Sequence, residues 1–263
     1  MTTMLEINSL CRSFGGVKAA QNVSFHLDKD EILGLIGPNG AGKTTVFNLI
    51  TGLDKSDQGT VTFQGTDITG HPAHKMVSHG LARTFHNIRL LGDMSVIDNV
   101  KIACHQQIDY NFIEGMLRLP RYFKTEKRVH QECLDLLTLF DLHDVAMENA
   151  DALPYGKRRK LEIARAMATK PKLLLLDEPA AGMNPNETND LMRMICRIND
   201  EFDMSILLIE HDMKLVMKIC QRIVVMEHGI VIADGSPQDV RNNPKVIQAY
   251  LGTRHDKNNP DKE

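Results

Sequence analysis

Gly37-Pro38-Asn39-Gly40-Ala41-Gly42-Lys43-Thr44-Thr45 decides how the chain is read. An apolar run, Ile32 to Ile36, precedes it, and Val46-Phe47-Asn48-Leu49-Ile50 follows with the look of a helix. Strand, glycine loop and helix are therefore consecutive, and Gly37, Gly42, Lys43 and Thr44 satisfy the spacing G-x-x-x-x-G-K-[ST]. Glycines let a backbone turn its N–H groups inward as a nest for phosphate oxygens, and the helix start adds partial positive charge. At this spacing Lys43 reaches the β- and γ-phosphates and Thr44 offers a hydroxyl to Mg²⁺. The stretch predicts a nucleoside triphosphate site in an α/β fold.

Composition limits the partners. The 263 residues carry a formal net charge of -3 with 25% charged residues, so no basic excess points to nucleic acid. The longest aliphatic runs, such as Leu173-Leu174-Leu175-Leu176, are strand-length and fall short of the roughly 18 apolar residues of a membrane span. Met1-Thr2-Thr3-Met4-Leu5-Glu6 lacks the regions of a signal peptide. Five scattered cysteines without CxxC spacing suit a reducing compartment. A soluble cytosolic chain is expected, with any membrane role supplied by a partner.

Outward from the loop, Leu5–Phe14 and Val23–Leu27 read as strands joined by Gly15-Gly16, and Gly59–Phe63 as another, together a small antiparallel layer. Phe14, at the end of the first strand, admits a core role or a base-stacking one. Val96–Ala103, Thr125–Leu139 and Lys157–Thr169 carry helical spacing, so residues 88–170 are expected to form a helical lobe inserted into the α/β core. The basic, aromatic Leu117–Lys124 stretch reads as a solvated connection or as a surface for a partner or anionic lipid. Lys172–Leu176 and Ser205–Ile209 read as buried strands, a helix starts at Asn184-Pro185, and His228-Gly229 marks a hairpin. Residues 253–263 are polar and expected to fray. His71 and His74 come nearest to a metal spacing, and a zinc site there is not expected.

A strand ending in Asp177-Glu178 is what a phosphate-loop hydrolase needs. Asp177 suits Mg²⁺ and Glu178 suits orienting and deprotonating a water. His211, after the strand 205–209, is placed where ligands gather in such sheets. Leu153-Pro154-Tyr155-Gly156-Lys157 opens an alanine-rich helix with proline in its first turn, and Gly156 leaves outward backbone N–H groups there, a second anion-binding start.

With these elements the chain, from Phe14 to about Gly252, resembles the ATP-binding cassette ATPases of membrane transporters. It is similar in particular to the G-type ATPase of branched-chain amino acid importers, through Leu153–Gly156, Asp177–Pro185, Ile209–Val216 and the ending Arg241-Asn242-Asn243-Pro244…Ala249-Tyr250-Leu251-Gly252. The resemblance implies a P-loop NTPase: a RecA-like parallel-sheet core with an antiparallel β layer, carrying an inserted α-helical lobe. Residues 5–252 would form one cassette domain, with 5–87 and 171–252 as the nucleotide-binding core. It implies ATP and Mg²⁺ as ligands and a second cassette, paralogue or self, facing this one head to tail. Permease subunits would attach at the helical lobe on the cytoplasmic face of the membrane, and a periplasmic or extracellular solute-binding protein would take part indirectly.

Role by role, the resemblance implies that Phe14 stacks on adenine and Gly37–Thr45 wrap the phosphates. Thr44 and Asp177 serve Mg²⁺, Glu178 activates water, and His211 holds the γ-phosphate geometry. Leu153–Lys157 meets the opposite subunit's ATP, and Gly182 and Asn184 belong to the loop between the cassettes. Departures are specific. His86 follows Arg83-Thr84-Phe85 where the family has glutamine, and imidazole suits Mg²⁺ poorly, so His86 is expected to sense phosphate through water or directly. Pro154, Tyr155 and Lys157 replace the usual signature serine, second glycine and glutamine, which leaves phosphate contact to the backbone near Gly156 and to Lys157. A ribosome-associated or DNA-repair cassette would need a second cassette or a long coiled coil, and a GTPase an N-K-x-D string; none is present. Related cassettes serve urea, amides or lipopolysaccharide, so the solute follows from resemblance alone.

Overall fold

The computed structural model describes residues 2–255. In chain order the elements are β1 (Thr3–Phe14), β2 (Val17–Asp28), β3 (Ile32–Ile36), α1 (Lys43–Ile50), β4 (Gln58–Phe63), β5 (Thr66–Asp67), α2 (Ala73–His79) and β6 (Leu81–Arg83). Four α-helices follow among the described residues: α3 (Val96–Ala103), α4 (Phe112–Met116), α5 (Pro120–Leu139) and α6 (Tyr155–Met167). The chain ends with β7 (Leu173–Asp177), α7 (Pro185–Glu201), β8 (Ser205–Ile209), α8 (Met213–Ile219), β9 (Arg222–Glu227), β10 (Ile230–Gly235), α9 (Pro237–Asn242) and α10 (Pro244–His255).

Two compact units result. One comprises the described residues of Met1–Arg83, Lys172–Pro179 and Ile195–Glu263; the other comprises Thr84–Pro171 and Ala180–Met194. The first unit holds both sheets. A six-stranded sheet has the order β10-β9-β3-β8-β7-β6, in which β9, β3, β8, β7 and β6 run parallel. Every residue of β3, β7 and β8 is buried, as expected of strands covered on both faces. β10 closes the edge as an antiparallel hairpin partner of β9. His228 and Gly229, at φ 47° and 82°, form its two-residue turn, since both central positions need positive φ. The antiparallel layer has the order β2-β1-β4-β5. β2 begins at Val17, six residues before the predicted strand, because Val17, Lys18 and Ala20 pair with Phe14, Ser13 and Arg12 across the tight Gly15-Gly16 turn. Leu5, Ile7 and Leu10 of β1 and Val46, Phe47 and Ile50 of α1 join one core.

The second unit is helical. α3 packs against α5 and α6, burying Val96, Val100, Cys133, Leu137, Leu161 and Ala164. Ser95 caps α3 by accepting from the Asp98 N–H at 3.2 Å. The 15 residues Ala180–Met194 group with these helices, and the boundaries at 83/84 and 171/172 differ by a few residues from those expected. Among the described residues no helix is long and apolar enough to cross a membrane. Of the tail expected to fray, residues 253–255 continue α10, and 256–263 lie outside the described residues.

Candidate functional site: a phosphate loop and its acidic strand end

The loop sits at the carboxyl end of β3. Gly42 stands at the N-cap of α1 with φ 98° and ψ 5°, and a Cβ there would lie 2.1 Å from the Ala19 carbonyl oxygen. Gly37, at φ 153°, is closed to a side chain in the same way by the Met226 carbonyl oxygen at 2.1 Å. Only glycine tolerates both the angle and the approach. The β9–β10 turn braces the loop: the Gly229 N–H donates to the Ala41 carbonyl at 3.0 Å, and the Gln21 N–H donates to the Gly229 carbonyl at 2.8 Å. A cavity of about 590 Å³ opens over the loop, lined by Asn39–Thr45, Val17–Ala19, Gln21, Glu178 and His228. Phe14 lies outside that lining; it is 42% exposed, with the Arg12 guanidinium 4.7 Å above its ring. Gly42→Ala is expected to impose about 1–3 kcal/mol of backbone strain. Equilibrium binding of a fluorescent ATP analogue should then show affinity lowered by about tenfold or more.

Lys43 folds back on the loop, its ammonium donating to the Gly37 and Pro38 carbonyls at 2.7 and 3.0 Å. Burial lowers its pKa, against the opposing pull of the Glu178 and Asp177 carboxylates. Both carboxylates thus belong to the loop's electrostatic surroundings, as their place at the end of β7 requires. Asp177 is buried, and its Oδ2 accepts from Arg83 Nη2 at 2.9 Å. Glu178 leaves the strand in the left-handed region at φ 48°, its N–H donating to the Ile209 carbonyl at 2.9 Å. Such a conformation in a non-glycine residue is strained, and strain of this kind clusters at functional sites. His211, 61% exposed in its side chain, brings Nδ1 to 3.8 Å from Glu178 Oε2 and 3.7 Å from Glu210 Oε2. Asp212 then caps α8 by accepting from the Lys214 N–H at 2.9 Å.

In the helical unit, Pro154 is the N-cap of α6, which starts at Tyr155 rather than at the predicted Lys157. Leu153 and Gly156 are buried, Tyr155 is exposed and Lys157 half-buried. A Cβ on Gly156 would lie 2.7 Å from Glu187 Oε1, so glycine here admits the neighbouring carboxylate. A Cβ on Gly182 would meet Tyr155 at 3.3 Å, which places that loop beside the start of α6. Asn184 has a local task as well. Its side chain accepts from the Glu187 N–H at 3.0 Å while Glu187 accepts from the Asn184 N–H at 3.0 Å, a reciprocal cap with Pro185 in the first turn of α7. Asn184→Ala should cost about 1 kcal/mol in thermal denaturation. His86 is exposed, and its carbonyl accepts from Arg159 Nη2 at 3.0 Å. Arg159, 0% exposed, also donates to the Phe85 carbonyl at 2.8 Å and to Glu162 Oε2 at 2.7 Å.

Sequence reasoning missed Arg83, Arg159, Glu162, Glu210, His228 and the wall of Val17, Lys18, Ala19 and Gln21. Arg83 was legible only as a neighbour of His86, and the run Lys157-Arg158-Arg159-Lys160 gives no sign that Arg159 turns inward. His71 Nδ1 lies 3.3 Å from His79 Nε2. Among the described residues no cluster of three or more His, Cys, Asp or Glu could hold a metal.

The fold and the loop meet their known counterparts here. The family profile described as "ABC transporter" matches residues 20–181, and one described as "Branched-chain amino acid ATP-binding cassette transporter" matches residues 231–256. The chain belongs to the ABC transporter family, as one of its nucleotide-binding ATPase cassettes. It is 43% identical to the high-affinity branched-chain amino acid transport ATP-binding protein BraF of Pseudomonas aeruginosa and 45% identical to LivG, of the same description, from Salmonella typhimurium. Each match covers 95% of this chain and 98% of the relative. Among solved structures, MJ1267, an ATP-binding cassette of an ABC transporter in its ADP conformation, superposes with a TM-score of 0.83 at 29% identity, over 96% of this chain and 100% of that one.

Proposed function

We propose that this chain is the ATP-hydrolysing subunit of an importer of branched-chain amino acids, working at the cytoplasmic face of the membrane. The observation that carries this reading is the 43–45% identity to branched-chain amino acid transport ATP-binding proteins along nearly their whole length, joined by the C-terminal match at 231–256. The lipopolysaccharide export ATP-binding protein LptB of Haemophilus influenzae stands further off, at 30% identity.

ATP lies along the cavity over α1, its phosphates taking N–H groups of Gly37–Thr45 and the Lys43 ammonium that now rests on the loop's own carbonyls. Phe14 is the candidate for stacking on adenine. Glu178 accepts a proton from water as the water oxygen attacks the γ-phosphorus, and the bridging oxygen leaves with ADP. His211, beside Glu178, holds that carboxylate and the γ-phosphate in register. The Thr44 hydroxyl and the Asp177 carboxylate are hard oxygen donors that fit Mg²⁺, which when bound offsets phosphate charge. His86, an imidazole and thus a poor partner for that ion, acts on phosphate or through water.

The start of α6 faces the ATP of a second cassette, paralogue or self, through the backbone near Gly156 and through Lys157. Gly182 and Asn184 lie on the same side of that contact. ATP closes the pair, and loss of the γ-phosphate reopens it. Permease subunits seated on the helical unit convert that motion into transport, with solute delivered by a binding protein outside the membrane. Reconstitution with the neighbouring permeases in proteoliposomes tests the reading. ATP-dependent uptake of labelled leucine, isoleucine or valine is expected, and uptake of urea or amides instead would reassign the solute.

A further inference from the structure

Arg83 is an unusual residue to find at the inner edge of a nucleotide site. It ends β6, the strand beside β7, and its side chain is only 7% exposed. One arm of its guanidinium, Nη2, donates to Asp177 Oδ2 at 2.9 Å. The other, Nη1, donates to Asn48 Oδ1 on α1 at 2.8 Å and to Oγ1 of Thr51, its C-cap, at 3.0 Å. The guanidinium carbon lies 5.4 Å from the centre of the Phe47 ring, a buried residue of the same helix. The anchors are themselves held: Asn48 Nδ2 donates to Asp54 Oδ2 at 2.9 Å, and the Thr51 hydroxyl donates to the Phe47 carbonyl at 2.7 Å.

We infer that Arg83 is a positioning residue for the divalent cation: it ties the Asp177 carboxylate to the phosphate-loop helix and so restrains where that carboxylate stands. The inference rests on the reading of Asp177 as a Mg²⁺ carboxylate. The bond from Arg83 to Oδ2 restrains the rotation of the carboxylate. The same guanidinium links the end of β7 to α1, the helix that carries Thr44, so the two oxygen donors keep a constant relation. A planar fork makes these contacts together; a lysine in its place keeps the charge and loses the geometry. Groups that hydrogen-bond metal-binding carboxylates commonly change metal affinity by about tenfold or more when removed.

The test uses the full chain with Glu178→Gln, expected to hold ATP with turnover strongly lowered. Mn²⁺ binding to the ATP complex is followed by electron paramagnetic resonance, and ATP binding in EDTA is measured separately. Arg83→Lys is expected to weaken Mn²⁺ binding by about tenfold with metal-free ATP affinity unchanged. Asn48→Ala, which removes one anchor and leaves Arg83 in place, is expected to give a smaller loss in the same direction. Unchanged Mn²⁺ binding in Arg83→Lys, whatever its thermal stability, overturns the inference and leaves Arg83 a strut. Asp177→Asn separates the two failures: if it too binds Mn²⁺ like its parent, the reading of Asp177 has failed, and the inference with it.

Discussion

Glu178→Gln is expected to lower ATP turnover by about 10²–10⁴ while ATP affinity is retained. The two side chains have nearly the same shape, so the left-handed turn at φ 48° and the bond from the Glu178 N–H to Ile209 are kept. What disappears is the group able to take the proton of water. The phosphate grip is elsewhere, in the loop backbone and the Lys43 ammonium. Loss of the Glu178 charge removes one of the two carboxylates that raise the Lys43 pKa, but Asp177 remains. Phosphate release assays read the first effect and equilibrium binding of a fluorescent ATP analogue the second. Turnover at the wild-type rate would remove Glu178 from the role of base and leave His211 and Glu210, which follow the neighbouring strand β8, to be considered.

Arg159→Met should destabilise the protein by about 3–5 kcal/mol, because it removes the ion-pair partner of a buried carboxylate. Glu162 is 2% exposed, and Arg159 donates to it at 2.7 Å. The Phe85 and His86 carbonyls each lose a donor in the same step. Burying methionine in the space of the aliphatic stem recovers little of this. Replacing both residues, Arg159→Met with Glu162→Leu, should restore a large part, since an apolar pair of similar volume removes the desolvation cost. Urea denaturation of the wild type and the two variants checks the order. His86 hangs from this clamp, so the single variant should also disturb whatever His86 senses, read as a change in the ATP concentration for half-maximal turnover.

What could be read from the chain was what is local in it. Gly37–Thr45 has its strand before it and its helix after it, and Asp177-Glu178 ends a run of leucines whose burial on both faces is written in the composition. Asn184 and Pro185 announced α7 because a cap and a first-turn proline are local signals. The unread parts join distant segments. Arg83 meets Asp177 only because β6 lies beside β7, and that adjacency is a property of the sheet order. Arg159 stands between Arg158 and Lys160 with no local mark of its own; its inward turn follows from the carbonyls of Phe85 and His86, far back in the sequence. The brace between Gly229 and Ala41 is equally invisible, since a hairpin turn gives no sign of what it leans on. β2 ran longer than its apolar stretch because pairing across Gly15-Gly16 recruits Val17, Lys18 and Ala20, whose own pattern is weak.

Whether the ATP held by Gly37–Thr45 is shared by two subunits is read most directly from mass by light scattering. The sample is the Glu178→Gln protein with ATP and Mg²⁺, alone and mixed with the paralogous ATPase of the same transporter. A two-subunit species is expected in one or both samples with ATP, absent with ADP, and weakened by Lys157→Glu at the start of α6. A protein that binds ATP yet stays single in both samples would contradict the shared site.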